Sequence, residues 1–595
     1  MIPAIAAVVI LAAAPSPAPP NPPLAALLSE AWEFRLREDP LLATSVGDHR
    51  FDDRLPSMAR EDLERRDRYW RATLDRLRAI EPNALSPADR IDRDMFEREL
   101  RDAVAEHEFG AWRMPWNADS GFHTALAQLP SFVPLATVRD YEGYIARLRA
   151  MPVFVRQQVA LLREGLRAGF TLPRVVLDGY DATIRAHVVD DPDQSVFAAP
   201  FRSFPAGVPD AERERLRAAG RSAIREGAIA AYRELLDFYS SEYLAGARAT
   251  TAASELPRGR EYYAHLVRSF TTLEVTPEEV HRIGQREVAR IRGEMEGVMR
   301  ATGFRGDFAA FLAFLRTDPR FYAKTGDQLL KEASWIAKRM DGKLPSLFLT
   351  LPRLPYGVEP VPAHIAPKYT AGRYVEPPMD GTRAGTYWVN THALESRPLY
   401  ALEALTLHEA VPGHHLQIAL QHELQGLPAF RRVSGIGAFV EGWALYAERL
   451  GLEAGFYSDP YSNFGRLTYE MWRACRLVVD TGLHSLGWTR QQAIDFLAAN
   501  TALSLHEVRT EIDRYISWPG QALAYKMGEL KIRELRSLAE RELGPRFDVR
   551  AFHDAVLANG PVPLLTLEEL IREYVSSTSS GAATSPAAAG SGRGR

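Results

Sequence analysis

A proline and a glycine interrupt the strongest helix-forming run of this 595-residue chain, and they fall among its most reactive side chains. The run Leu399-Tyr400-Ala401-Leu402-Glu403-Ala404-Leu405-Thr406-Leu407-His408 leads directly into Glu409-Ala410-Val411-Pro412-Gly413-His414-His415. Pro412 has no N–H to give to the carbonyl of residue 408, and its ring clashes with that same carbonyl. A regular helix therefore cannot pass through this point. Gly413 supplies the backbone freedom that a local distortion needs.

The distortion decides the chemistry. A His-Glu pair followed by further His is a zinc-hydrolase pattern, normally His-Glu-x-x-His with the ligands at i and i+4 on one helix face. Here the second His is displaced. On an uninterrupted helix His408 and His414 would be separated by about 9 Å of rise and about 600° of rotation. His415 would return to the face of His408, but about 10.5 Å further along. Neither pairing can share an ion whose bonds to nitrogen are about 2.0–2.1 Å. A two-residue bulge at Val411-Pro412 would bring His414 to the position that i+4 usually occupies, and helical bulges are frequent at functional sites. His408 and His414 are the expected ligands, with His415 the second choice. Glu409, beside His408, is the expected general base.

Catalytic zinc commonly takes two His and one carboxylate, leaving a position for water. Phe439-Val440-Glu441-Gly442-Trp443-Ala444-Leu445-Tyr446-Ala447-Glu448 is a largely apolar helical stretch that carries two acids. A carboxylate in such surroundings is costly unless it is paired or metal-bound. Glu441 and Glu448 share a face about 10.5 Å apart, so only one reaches the ion. Glu441, 27 residues past His414, is the expected third ligand. Glu448 is left to support a ligand or pair with a basic group.

The rest of the chain bounds the alternatives. A net charge of −4 and a pI near 6.5 give no basic footprint for nucleic acid. Cys475 is the single cysteine, so a metal must be held by His and carboxylates. Residues 2–14 are uncharged and apolar, too short for an ordinary span, and end in Ala12, Ala13 and Ala14; they read as a signal peptide for export to the periplasm or outside. Residues 15–23 read as a polyproline-like linker, so residues 1–22 stand apart as leader and linker. Residues 576–595 read as a disordered tail of Ser, Gly, Ala and Thr. Between them, 23–575 reads as one large, mainly α domain. Apolar residues recur at helical spacing over 58–81, 86–106, 139–168 and 210–247, and helix starts are expected at Thr276 and Thr489. The best strand is 386–391, near the presumed active-site helix; the Pro-rich stretch 351–378 before it reads as loop.

The run His408-Glu409-Ala410-Val411-Pro412-Gly413-His414-His415-Leu416-Gln417, with Glu441-Gly442-Trp443-Ala444-Leu445-Tyr446 and Trp518-Pro519-Gly520-Gln521-Ala522-Leu523-Ala524-Tyr525-Lys526, resembles the bacterial domain-of-unknown-function family 885 over about residues 24–573. That family is similar to the helical zinc peptidases of the angiotensin-converting-enzyme, thimet-oligopeptidase and carboxypeptidase Taq kind. The resemblance implies a large helical metallopeptidase-like fold, one zinc ion and a peptide substrate; it leaves carboxypeptidase, dipeptidase and oligopeptidase open. Many members look like lipoproteins, whereas this sequence has no early cysteine.

A peptidase also needs a group for the oxyanion. The related peptidases take a Tyr or His from a late helix, which points to Tyr525 first and Tyr515 second. Arg473, Arg476, His484 and Lys526 are candidates for a substrate carboxylate, and strand 386–391 for pairing with an extended peptide. The competing reading is a metal-containing binding or scaffold protein of the cell envelope without turnover.

Overall fold

The computed structural model describes residues 21–580 except 119, 364 and 378–382. The expected leader, and the tail beyond Ser580, lie outside the described residues. The chain is mainly helical, 71% helix against 4% strand. One contiguous core takes side chains from Leu24 to Val575. Among the described residues no helix is long and apolar enough to cross a membrane.

The ends follow local chemistry. The first helix, α1 (Pro22–Glu38), starts where the sequence suggested linker: Asn21 caps the Leu24 N–H, and Pro22 and Pro23 occupy first-turn positions that need no N–H. At the other end, residues 576–579 continue the last helix, Leu564–Ser579, beyond the expected start of the tail. The periodic stretch 139–168 forms α2 (Val138–Ala168), closed by Gly169. The expected starts at Thr276 and Thr489 are both capping boxes, with Glu279 and Gln492 reaching back.

The elements that carry the site come from the C-terminal half. Helix α3 (Pro277–Ala301) packs along a long buried helix nearer the C-terminus, Pro460–His484. A three-stranded sheet follows it, β1 (Tyr356–Pro360), β2 (Gly372–Val375) and β3 (Gly385–Val389), in the order β1-β3-β2. Two of these strands lie inside the Pro-rich stretch read as loop. The prolines sit at strand ends and between strands, where no ladder N–H is required. The strand foreseen at 386–391 is β3, and it is central, parallel to β1 and antiparallel to β2. Both its edges are used, so it has no free edge for a peptide.

Then come α4 (Leu402–Glu409), α5 (His414–Glu423), α6 (Gly437–Glu453), α7 (Pro460–His484), α8 (Leu505–Ser517) and α9 (Ala524–Leu543). Helices α6 and α9 meet without intervening side chains. A Cβ on Gly528 would lie 1.8 Å from the Ala438 carbonyl oxygen, and one on Gly442 2.6 Å from the Gly528 Cα. This backbone contact fixes α6 beside α9 at the residue next to Glu441.

Candidate metal centre

The turn at Pro412 separates two helices. Helix α4 ends at Glu409, residues 410–413 turn, and α5 starts at His414. This replaces the expected bulge within one helix: Pro412 blocks the ladder, and the freed groups are satisfied across the turn instead. Gly413 N–H donates to the Leu407 carbonyl at 3.0 Å, and His415 N–H to the Ala410 carbonyl at 3.1 Å. Gly413 is required by space. A Cβ there would stand 1.9 Å from the His408 carbonyl oxygen. Trp443 Nε1 donates to the Pro412 carbonyl at 2.9 Å, tying the turn to α6.

The result brings together three side chains from three helices. Ligand-type atoms of His408, His414 and Glu441 all lie within 4.8 Å of one another. Glu441 Oε2 is 3.6 Å from His408 Nε2 and 3.5 Å from His414 Nε2. These separations are long for good hydrogen bonds. They match the roughly 3.3 Å edge of a tetrahedron with zinc–ligand bonds of about 2.0–2.1 Å. Glu441 Oε2 is buried and has no hydrogen-bond partner among the described residues. An orphaned carboxylate oxygen facing two imidazole nitrogens fits a divalent cation.

The surroundings prepare His408 for that role. Its Nδ1 lies 2.8 Å from Glu448 Oε1, which holds the ring and, in the neutral form, leaves the Nε2 lone pair toward Glu441. Burial alone would lower the His408 pKa, but Glu441, Glu448 and Glu409 outweigh it and raise it to about 10. Burial opposes ionisation of Glu441 too, yet the two imidazoles hold its carboxyl well below the usual range. Without a cation this cluster holds a proton tightly, and a divalent ion would replace it. His415 faces elsewhere. Its Nδ1 is 2.9 Å from the Tyr374 hydroxyl, and burial pushes its pKa down to about 4.

Glu409 stands beside the three. Its Oε2 accepts from the Tyr374 backbone N–H at 2.7 Å, so the outer strand β2 positions the carboxylate. All four residues line one cleft. Its far wall is built by Trp472 and Arg473 of α7, Arg514 of α8 and Tyr525 of α9.

Comparison with known proteins follows from this geometry. The model of the family described as "Bacterial protein of unknown function (DUF885)" matches residues 40–571. The chain belongs to this family. The fold of this DUF885 protein is similar to that of a protein from Colwellia psychrerythraea described as a "putative lipoprotein", at 29% identity and a TM-score of 0.87, covering 93% of this chain and 99% of that one. A protein from Shewanella oneidensis, described as a lipoprotein of unknown function in the same terms, shares the fold at 19% identity and a TM-score of 0.70, covering 92% and 99%. No curated protein matches.

The remaining expected site residues of this DUF885 protein divide. Tyr525 and Arg473 line the cleft, as does Arg476. Tyr515 does not: its hydroxyl accepts from Trp472 Nε1 and Arg476 Nε and donates to Glu511 Oε2, at 2.7–2.8 Å, so it braces the cleft wall from behind. Lys526 is turned into the interior, where Glu470, Glu287 and Glu529 bind its ammonium within 3.1 Å. His484 is also structural. The Ala253 N–H donates to its Nδ1 at 2.9 Å, so its Nε2 donates to the Tyr515 carbonyl, and burial pushes its pKa down to about 3. Each of these three found enough partners close by in the fold to be removed from the cleft. Sequence reasoning missed Arg373, Tyr374 and Arg514. Arg373 and Tyr374 lay in the stretch read as loop; Arg514 adjoins Tyr515 in the late helix and could have been found with it.

Proposed function

We propose that this protein hydrolyses peptide bonds with a zinc ion held by His408, His414 and Glu441, and with Glu409 as general base. The single observation that carries the reading is the convergence of these three ligand atoms beside a carboxylate fixed by a backbone N–H. When bound, zinc supplies a Lewis-acid charge and brings the pKa of water down to about 7. Glu409 takes a proton from the attacking water and returns it to the leaving amine. Glu448 keeps His408 oriented. Tyr525, whose ring lies 4.2 Å from the Arg476 guanidinium, lines the cleft and offers its hydroxyl to the developing oxyanion. Arg373 lines the same cleft and adds positive charge near Glu409. Residues 2–14 support export, and the likeness to proteins described as lipoproteins supports a cell-envelope location.

Glu409→Gln tests the reading. The variant is expected to keep its metal and lose about 10²–10⁴-fold in peptide hydrolysis. Equal hydrolysis by both forms, or none by wild type across a peptide library, would favour a metal-containing binding protein without turnover.

A further inference from the structure

The cleft holds a cation that makes no hydrogen bond or ion pair with the described residues. Arg473 is 5% exposed, yet its Nε and Nη1 make no hydrogen bond, and it forms no ion pair among the described residues. A buried guanidinium in this state is expensive, because its desolvation is not offset. Its plane is fixed instead by aromatic faces: the guanidinium lies 3.7 Å from the Trp472 ring, 5.0 Å from Tyr469 and 5.6 Å from Tyr525.

The neighbouring arginine shows the contrast. Arg476 gives Nε to the Tyr515 hydroxyl and Nη2 to Glu511 at 2.8 Å. Its third nitrogen, Nη1, is buried without a partner. The nearby carboxylate of Glu511 is therefore spent on Arg476 and Tyr515; Glu507, which lines the same cleft and whose pKa burial raises to about 7, makes no hydrogen bond or ion pair with Arg473. Two adjacent turns of α7 thus bring guanidinium groups with unfilled, buried nitrogens to the wall of the cleft that holds the metal triad. Planar guanidinium forks recognise carboxylates.

The cleft is also asymmetric. Through Ile418, Val440, Glu441, Trp518 and Gln521 it continues into a larger groove, walled by the helix Pro87–Phe109 and by Phe270. Arg473 and Arg476 belong to the metal-side lobe and do not line the larger groove. A chain lying across Glu441 has room at one end and a pair of cations at the other.

We infer that Arg473, with Arg476 beside it, binds the terminal carboxylate of a peptide whose preceding residues occupy the larger groove. This rests on the peptidase reading for its chemistry: the enzyme then cuts near the carboxyl end of its substrate. Arg473 is the specificity-determining residue.

Binding separates this inference from catalysis. Glu409→Gln protein loaded with zinc is titrated calorimetrically with N-acetyl-hexaalanine as the free acid and as the amide. The free acid is expected to bind roughly tenfold to hundredfold more tightly, the usual worth of hydrogen bonds to a charged group. That preference is expected to vanish when Arg473→Met or Arg473→Gln is added, with circular dichroism and metal content unaltered. Equal affinity for the two peptides, binding of neither, or a preference that survives both substitutions would overturn the inference. Should wild type hydrolyse nothing while the preference and its dependence on Arg473 hold, the peptidase reading falls and the carboxylate site stands. In active enzyme, mass spectrometry of digests should show short carboxyl-terminal fragments released first, and amidated peptides should suffer chiefly in KM.

Discussion

At the scale of single residues, the partners of each polar group separate catalytic candidates from structural ones. Glu448 touches His408 through Nδ1, the nitrogen turned away from Glu441, and is not one of the three side chains whose ligand-type atoms converge. Glu448→Gln should therefore weaken zinc affinity about 10–100-fold while leaving the ligand set intact, as measured by competition with a chelator. The two arginines of α7 make opposite predictions for stability. Arg476→Met strips Glu511 and Tyr515 of a buried partner and should cost about 3–5 kcal/mol in chemical denaturation. Arg473→Met removes a buried cation that makes no hydrogen bond or ion pair with the described residues, so stability should hold or rise. Equal losses in both variants would contradict the assignment of Arg473 to a ligand. The grouping of His408, His414 and Glu441, with Glu409 beside them, was legible in the sequence because their chemistry and spacing leave few alternatives. The fates of Tyr515, His484 and Lys526 were not legible there. Those depend on Glu511, Ala253, Glu470 and Glu287, distant in sequence and adjacent only after folding.

At the scale of elements, the break between α4 and α5 builds the centre. Ending one helix at Glu409 and starting another at His414 lets two histidines six residues apart share one focus. Gly413→Ala should abolish this geometry, since a Cβ would lie 1.9 Å from the His408 carbonyl oxygen. Its expected signature is loss of bound metal in a protein that remains helical by circular dichroism; full metal retention would contradict the account. The need for a break was legible in Pro412, because proline chemistry is local. Its form was not, because a bulge and a two-helix turn obey the same local rule and only the Trp443 anchor and the packing of α6 choose between them. The strands β1 and β2 were illegible for a related reason. Their prolines mask a short pattern whose pairing partner, β3, lies beyond the intervening loops.

At the scale of the whole molecule, the metal-free centre should couple folding to pH. The His408 pKa is raised from 6.5 to about 10, so its contribution to stability is complete below about pH 6.5 and is lost as pH rises through about 10. Zinc takes the place of that proton, so zinc should raise the melting temperature increasingly between pH 6.5 and 10. Thermal melts in chelator and in zinc across this range check it; a zinc effect independent of pH would count against it. Mainly helical architecture was plain from periodicity over long stretches, since helix spacing is a local signal. The position of the cleft was not, because the walls of the cleft and of the groove it joins come from the helix Pro87–Phe109, strand β2 and helices α4 to α9, which no local pattern links.

The most direct test of the central claim is the metal content of the purified protein beside His414→Ala and His415→Ala. Close to one zinc per chain is expected in wild type and in His415→Ala, and little or none in His414→Ala. A wild type that takes up no zinc, or loss in His415→Ala with retention in His414→Ala, would contradict the centre described above.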